Sequence, residues 1–248
     1  MIVIKTKEEI EHMQRAGELL ASCHRELAAL IRPGITTREI DQFAEAYITS
    51  RGAAMEQKGY RGYPYATCAS INDVICHGFP GERKLEDGDI VAIDMVVNLN
   101  GWLADSAWSY AVGNVSPEAQ KLLDITKEAL YLGIAQAVVG NRIGDISHAI
   151  QTFAETNGYS VVRDFVGHAI GQAMHEEPQV PHYGPPGRGT RLKEGMVITI
   201  EPMINIGSYK CKIDPDGWTA RTIDGSLSAQ YEHTVAITAD GPLILTKQ

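Results

Sequence analysis

Two aspartates interrupt the apolar strands of a predicted β-hairpin, DIVAIDMVVNLNGWLADSAWSY, at residues 89–110. Asp94 lies inside the apolar run IVAIDMVV, and Asp105 lies in the following strand. A buried carboxylate without a partner is costly, so its charge needs compensation. Because the two positions differ by an odd number, an antiparallel hairpin with an even-length loop places both side chains on one face, opposed or one diagonal step apart. A cation between the carboxylates, or a proton on one of them, could neutralise the pair.

The second half of the chain carries a matching pair of acids. The segment LEDGDIVAID aligns with LKEGMVITIE, 107 positions later, and this alignment places Glu201 over Asp94. In the next strand, Glu232 of YEHTVAIT corresponds to Asp105. Two halves packed around a pseudo-twofold axis would bring four carboxylates together. Chance similarity between two amphipathic segments is the alternative, and the match of acid with acid inside apolar strands weighs against it.

Histidines in VGHAIGQAMHEEPQVPHYG could complete a cation site. His168 and His175 are seven positions apart, so either a helix or a short hairpin across Gly171-Gln172 places them on one side. Hard divalent ions prefer carboxylate oxygens, and imidazole adds affinity for Mn, Fe, Co or Zn. A proton shared by two carboxylates, as in aspartic proteases, is the competing explanation, but four acids with histidines favour a metal. Three further histidines are interpreted as core or surface residues: His12, His24 and His148.

Helical periodicity precedes each acid-bearing strand pair, so each half has the order helix, helix, strand, turn, strand. This order predicts an α+β fold whose mainly antiparallel sheet is covered by helices from two related halves. We expect one domain over residues 1–248, with halves of about 1–113 and 114–248. The predicted helices cover residues 7–31, 36–52, 116–140 and 143–159.

Composition excludes several classes of function. The chain has 248 residues, 44% of them hydrophobic, and a formal net charge of -9, which does not favour binding to nucleic acid. No apolar run approaches the ~20 residues of a membrane span, and the N-terminal sequence lacks a signal-peptide core. The four cysteines form no C-x-x-C pair, which is typical of a reducing compartment. We therefore expect a cytoplasmic protein.

Motifs spread over nearly the whole sequence resemble those of the type I methionine aminopeptidases in their short bacterial form. The resemblance implies the two-fold "pita-bread" fold, in agreement with the repeat. The matching sequence has neither an N-terminal zinc-binding extension nor the long insertion of type II enzymes. The motifs that carry it are SINDVICHGFPG, GDIVAIDMVV, NGWLADSAWSYAVG, VGHAIG, HEEPQVPHYG, EGMVITIEPM and DGWTARTIDGSLSAQYEHTVAIT.

The resemblance also implies a site with two divalent metal ions of undetermined identity (Co, Mn, Fe, Zn or Ni). Asp105 and Glu232 would bridge both ions, Asp94 would complete one site, and His168 with Glu201 would complete the other. Metal-bound water would attack the first peptide bond. The implied catalytic residues are His77, near the scissile nitrogen, His175, as a donor to the oxyanion, and Glu201, as a proton shuttle.

Methionine would enter a pocket that resembles the family's pocket in its aromatic and sulfur-containing residues, which suit a thioether. Ordinary core packing is the alternative for these side chains. The implied substrate-binding residues are Tyr60, Tyr63, Cys68 and Trp218, together with His77 and His175. The resemblance also implies a monovalent cation near Asn72, Val74 and Ser228.

Three positions depart from the family pattern. Ala169 stands where relatives commonly have glycine after the metal-binding histidine. Gln57 and Met174 stand where relatives often have Cys and Phe. These changes leave the shape of the pocket and the substrate preference open, but they do not alter the ligand set.

The implied activity is removal of N-terminal methionine from nascent proteins and peptides with a small second residue. The expected partners are such chain starts, with transient ribosome association, and the protein is expected to be a monomer. Two alternatives differ in function. One is an Xaa-Pro aminopeptidase of the same fold, and the other is a metal-free binding module.

Overall fold

A computed structural model describes residues 2–248 of the protein. The four predicted helices are confirmed, although all four end earlier than their periodicity predicts, the first by a single residue. Their bounds are α1 (Lys7–Leu30), α2 (Thr37–Thr49), α3 (Pro117–Ala135) and α4 (Ile143–Thr156). Among the described residues, none of the four combines the length and the apolarity that crossing a bilayer requires.

Side-chain caps determine where the helices begin. The Thr36 hydroxyl accepts a hydrogen bond from the backbone of Glu39, and Glu39 accepts one from the backbone of Thr36, forming a capping box at α2. Ser116 caps α3 directly before a proline at the first helical position. The α3 helix ends at Ala135, before the predicted Gly140, where the amides of Gln136 and Ala137 donate three residues back, to Gly133 O and Ile134 O.

Fifteen strands form four sheets, and every strand pair within the described residues is antiparallel. The strands are β1 (Ala54–Met55), β2 (Cys68–Ile71), β3 (Val74–Cys76), β4 (Ile90–Leu99), β5 (Trp102–Ala111), β6 (Ser160–Val161), β7 (Gly167–Ala169), β8 (Glu176–Val180), β9 (Val197–Ile200), β10 (Met203–Asn205), β11 (Cys211–Ile213), β12 (Ala220–Thr222), β13 (Ser228–Gln230), β14 (His233–Thr238) and β15 (Gly241–Ile244).

The two largest sheets lie in different halves of the chain. In the first half β4 pairs with β1, β2 and β5, and in the second half the order is β15-β14-β9-β7-β8. Helices α1 and α2 contribute to one hydrophobic core with β4, while α3 and α4 contribute to another with β9 and β14. The predicted α+β plan, with helices and antiparallel strands in each half, is confirmed.

Hydrogen bonds join the two halves along β5. The amide of Glu232 donates to Ala107 O at 2.8 Å, and the Ser109 hydroxyl donates to Gln230 O at 2.7 Å. The Asp105 amide donates to Thr234 Oγ1 at 3.0 Å. These bonds run directly beside the predicted acids, so the contact between the halves brings them together.

Candidate metal centre and active site

The turn of the β4–β5 hairpin sets the relative positions of Asp94 and Asp105. Asn100 and Gly101 form a two-residue loop, and both have positive φ angles, of 55° and 86°, as a type I′ turn requires. In the resulting register Asp94 pairs with Ala107, two positions beyond Asp105. The two acids therefore lie one diagonal step apart on the same face, as one of the two predicted registers requires.

The second pair of acids lies where β9 and β14 meet. Glu201 directly follows β9, Glu232 directly precedes β14, and the neighbouring residues Ile200 and His233 are register partners. An oxygen from each of Asp94, Asp105 and Glu232 lies within 4.8 Å of the others. The structure therefore brings residues from both halves into one acidic cluster.

His168 joins this cluster from β7. Its Nδ1 lies 3.0 Å from the carbonyl oxygen of Ala169, which can only accept, so Nδ1 carries the proton. The lone pair of Nε2 is consequently free, and Nε2 lies 3.7 Å from both Asp105 Oδ2 and Glu201 Oε1. Burial also lowers the pKa of His168 to about 4, which favours the neutral form that binds metals.

Burial strongly disfavours the charged forms of the acids. It raises the pKa of Asp94 to about 6 and that of Glu201 to about 8. Burial, together with neighbouring carboxylates, raises the pKa of Asp105 and of Glu232 well above their usual range. A positive charge placed among these groups would reverse the shifts.

Two buried oxygens support a bound cation. Asp105 Oδ1 and Glu232 Oε1 have no hydrogen-bond partner among residues 2–248, although buried carboxylates normally find one. Both belong to acids that the sequence predicts to bridge two ions. Four carboxylates and one neutral imidazole also form a donor set that suits divalent first-row metals. The residues therefore fit the predicted metals.

A cavity of about 280 Å³ opens beside the acids. It brings together every predicted catalytic and pocket residue with the five predicted ligands. Its lining includes Tyr60, Tyr63, Cys68, Trp218, His77, His175, Asp94, Asp105, His168, Glu201 and Glu232. The three residues predicted near a monovalent cation lie elsewhere, where the amide of Ser228 donates to Asn72 O at 2.9 Å and Val74 begins β3.

Aromatic edges form one wall of this cavity. The ring of Tyr63 meets Trp218 edge-on with centroids 5.1 Å apart, and His77 meets Trp218 at 6.2 Å. The hydroxyl of Tyr63 donates to the backbone oxygens of Thr67 and Gly78, so its ring is held rigidly. Burial lowers the pKa of His77 to about 4, which keeps this histidine neutral.

His175 lies at the exposed mouth of the cavity, across the β7–β8 hairpin from His168. The structure has the hairpin rather than the helix, but Ala169 pairs with Glu176, so the turn centres on Gln172-Ala173 and not on the predicted Gly171-Gln172. The ring centroids of the two histidines are 4.3 Å apart. The Tyr60 hydroxyl lies 3.0 Å from His175 Nδ1, and the two rings also pack with centroids 5.4 Å apart. Tyr60 thus contacts both the predicted methionine pocket and a predicted catalytic side chain.

Sequence reasoning missed three residues that hold Glu201. Thr199 accepts a hydrogen bond from the His168 amide and donates one to Glu201 Oε1 at 2.9 Å. His182 accepts from the Glu201 amide, and Gln230 Nε2 lies 3.5 Å from Glu201 Oε2. Thr199 could have been found, because it lies two positions before Glu201 in an apolar strand and so faces the same side.

Gln57, one of the three residues that depart from the family pattern, forms hydrogen bonds with the strand that carries Asp94. Its Nε2 donates to Asp94 O at 3.2 Å, and its Oε1 accepts from the Val96 amide at 2.6 Å. Gln57 and Met174 both line the cavity, while Ala169 is 3% exposed within the second-half core. Gln57 therefore supports the backbone of a predicted ligand as well as shaping the cavity.

Residues 11–239 match the metallopeptidase family M24. The chain belongs to metallopeptidase family M24. Its similar relatives include methionine aminopeptidase 1 of Bacillus subtilis, 51% identical over the full length of both chains, and the methionine aminopeptidase of Clostridium perfringens, 53% identical over 99% of each. The crystal structure of the Rickettsia prowazekii enzyme matches with a TM-score of 0.98 at 43% identity and full coverage of both chains. Within M24 the chain is thus a type I methionine aminopeptidase of bacterial length.

More distant solved structures share the fold. The Xaa-Pro dipeptidase from Bacillus anthracis matches 99% of this chain with a TM-score of 0.80, but at 22% identity and over 62% of its own length. These likenesses confirm the predicted pita-bread architecture. Membership of the metallopeptidase family M24 makes the chain a metal-dependent hydrolase, and its carboxylate cluster provides the donors that such a hydrolase needs.

Removing metal should destabilise this M24 protein, since the crowded carboxylates then repel one another. We expect a chelated sample to gain thermal stability when Mn²⁺ or Co²⁺ is returned. A ligand at 1,000 times its Kd adds about 4 kcal/mol to the free energy of unfolding. Differential scanning calorimetry during metal titration measures the effect. An unchanged Tm, in a sample shown by elemental analysis to have regained metal, would contradict it.

Proposed function

We propose that this M24 peptidase removes methionine from the free N-terminus of peptides and proteins whose second residue is small. The observation that carries the proposal is the cavity in which an aromatic and sulfur-lined wall ends at the buried acids. The wall suits a thioether, since sulfur makes favourable contacts with aromatic rings. The acids next to it suit a metal-assisted hydrolysis. Both parts of the proposed substrate, methionine side chain and peptide bond, therefore have a place in one cavity.

We further propose that five residues would hold two divalent ions, to both of which Asp105 and Glu232 would contribute. The unpartnered oxygens of these two acids support a cation beside them. When bound, such ions lower the pKa of water and polarise the peptide carbonyl, which supplies the nucleophile and stabilises developing charge. Several metals fit the mixed donor set: Co, Mn, Fe, Zn and Ni. The proposed ligands are Asp94, Asp105, His168, Glu201 and Glu232.

Three side chains act on the peptide in this proposal. Glu201, held by Thr199 and His182, takes the proton of the attacking water and delivers it to the leaving amine. His175 donates a hydrogen bond to the carbonyl oxygen as that oxygen becomes negative. This role requires the proton of His175 on Nε2, and in that tautomer Nδ1 accepts a hydrogen bond from the Tyr60 hydroxyl 3.0 Å away. His77 contacts the scissile nitrogen.

A peptide series tests the proposal. We expect rapid release of methionine from Met-Ala and Met-Gly peptides, slow release from Met-Leu, and none from acetyl-Met-Ala, all with the same tail. Norleucine in place of methionine should be tolerated, since one altered group in an apolar pocket changes binding by only ~1–3 kcal/mol. Mass spectrometry of the products measures each rate. Rapid cleavage of acetyl-Met-Ala would refute the free-amine requirement, and equal rates for Met-Ala and Met-Leu would refute the restriction to small second residues.

We also propose a monovalent cation beside Asn72, Val74 and Ser228. Two buried oxygens support it, since Ser228 Oγ and Asn205 Oδ1 have no hydrogen-bond partner within residues 2–248. Asn205 and Ser228 are register partners of β10 and β13, so both oxygens belong to one place in the fold. A monovalent ion there would coordinate both oxygens and stiffen β3, the strand that leads to His77.

The biological setting stays part of the proposal. The substrates would be the N-termini of nascent proteins in the cytoplasm, reached through transient contact with the ribosome by a monomeric enzyme. The division of a single catalytic domain, 1–248, into halves at about residue 113 also stays a prediction.

A further inference from the structure

The side chain of Lys5 is buried against the hairpin that carries His175. It is 1% exposed and forms an ion pair with Glu176, whose side chain is 13% exposed. Lysine is almost never fully buried unless its charge is paired. Glu176 directly follows His175 in the chain, so the ion pair fixes the residue next to a proposed catalytic side chain.

Two glycines make the space that the lysine occupies. A Cβ at Gly171 would lie 2.6 Å from Lys5 Cε, and a Cβ at Gly195 would lie 2.6 Å from Lys5 O. The Lys5 amide donates to Gly195 O at 2.7 Å. Residues Ile4 and Lys5, which we name the N-terminal strap, therefore pass so close to Gly171 and Gly195 that neither glycine has room for a side chain.

The strap is continuous with α1 of the first half. Thr6 caps α1 through reciprocal hydrogen bonds with Glu9, so the helix start fixes the direction of the strap. Further along α1, Met13 shares a hydrophobic cluster with Ile170 and Met174 of the second half. Lys5 thus connects a first-half helix to the second-half hairpin that carries His175.

Loss of the Lys5 charge would leave the Glu176 carboxylate without its ion-pair partner. A buried charge that loses its partner is strongly destabilised. Without Lys5, the Glu176 carboxylate would turn toward water and move the backbone that it shares with His175. His175 itself is exposed, with the Tyr60 hydroxyl as a hydrogen-bond partner on the cavity side. Its orientation is therefore sensitive to displacement of residue 176.

We propose that Lys5 is a positioning residue: its ion pair with Glu176 sets the orientation of the His175 imidazole at the cavity mouth. This inference rests on the proposed role of His175 as a donor to the carbonyl oxygen. The competing explanation is a purely structural ion pair, which would contribute to folding stability without affecting the rate of the chemical step.

The decisive variant is Lys5→Met, which retains the length of the side chain and removes its charge. We expect kcat to fall about 10–100-fold, as a misplaced catalytic group commonly causes, with KM and metal content near the wild-type values. The matched control is Lys7→Met, which removes the same charge at an exposed position two residues later and should leave kcat unchanged. If Lys5→Met fails to fold, Glu176→Gln provides the same comparison with a smaller perturbation.

Rescue and spectroscopy separate positioning from stability. The double variant Lys5→Met/Glu176→Gln has no ion pair and no unpaired carboxylate, so its Tm should recover while its kcat stays as low as that of Lys5→Met. The ring resonances of His175, assigned through their loss in His175→Ala, should shift in Lys5→Met and not in Lys7→Met. A lower Tm with unchanged kcat and unchanged resonances would overturn the proposal. If the wild-type protein released no methionine, the proposed function would fail, while the resonances would still decide whether Lys5 orients His175.

Discussion

Glu232→Gln and Asp105→Asn should each abolish peptide cleavage while the protein still folds. Each substitution replaces a carboxylate with an amide of nearly the same shape and removes one of the two proposed bridging anions. We expect activity to fall more than ~10³-fold, since the metals supply several kcal/mol of transition-state stabilisation and each ~1.4 kcal/mol is tenfold in rate. Cleavage of a Met-Ala peptide with metal in excess, together with elemental analysis of the purified protein, measures both effects.

The stability of these variants should change in the opposite direction to their activity. Without metal, burial and then the neighbouring carboxylates raise the pKa values of Glu232 and Asp105, so a neutral amide at either position removes the cost of a buried charge near other acids. The metal-free variants should therefore be at least as stable as metal-free wild type. Glu194→Gln is the control, because Glu194 is exposed and its loss should alter neither property. Wild-type turnover in Glu232→Gln would rule out the ligand assignment.

The second large effect concerns the two neighbouring histidines, whose alanine variants should lose activity for different reasons. His175→Ala should slow cleavage ~10²–10³-fold, the usual cost of losing a transition-state donor, and leave metal binding intact. His168→Ala should weaken metal binding, because it removes the neutral imidazole whose Nε2 faces Asp105 and Glu201. The two rings pack against each other, so a general disturbance of the site would affect both variants alike.

Metal titration distinguishes the two histidines. Activity of His168→Ala should return partly when metal is raised, whereas activity of His175→Ala should not respond. His148→Ala is a suitable control, since His148 is exposed on α4. Identical titration curves for the two variants would contradict the division between ligand and donor.

Local patterns predicted much of this molecule. The parity of Asp94 and Asp105 was enough to place them on one face, because a hairpin turn fixes the register of its own strands. The same reasoning placed His168 and His175 on one side. The alignment of Glu201 with Asp94 predicted a second acid pair, since a sequence repeat implies a repeated structure. These predictions depend only on residues that are close in the chain or related by the repeat.

The supports of the site could not be predicted in this way. His182 binds the backbone of Glu201, and Lys5 binds Glu176 across the whole first half of the chain. Neither contact follows a sequence period, because each depends on how distant segments dock. The loop after α3 has the same kind of contact, since the Gly140 amide donates to Leu192 O. The residues proposed to bind metal and substrate were thus more predictable than those that hold them.

The joint between β5 and the segment around Glu232 also determines when the enzyme becomes active during its own biogenesis. Asp105 and Thr234, which form a hydrogen bond across this joint, are 129 residues apart. The ribosome therefore synthesises the first acid pair long before the second. Domains form as units, and contacts between distant segments form slowly. A ribosome-bound fragment with only the first acid pair should therefore be inactive. Activity should arise in a single step, when the late strands dock and all four carboxylates first surround the same space.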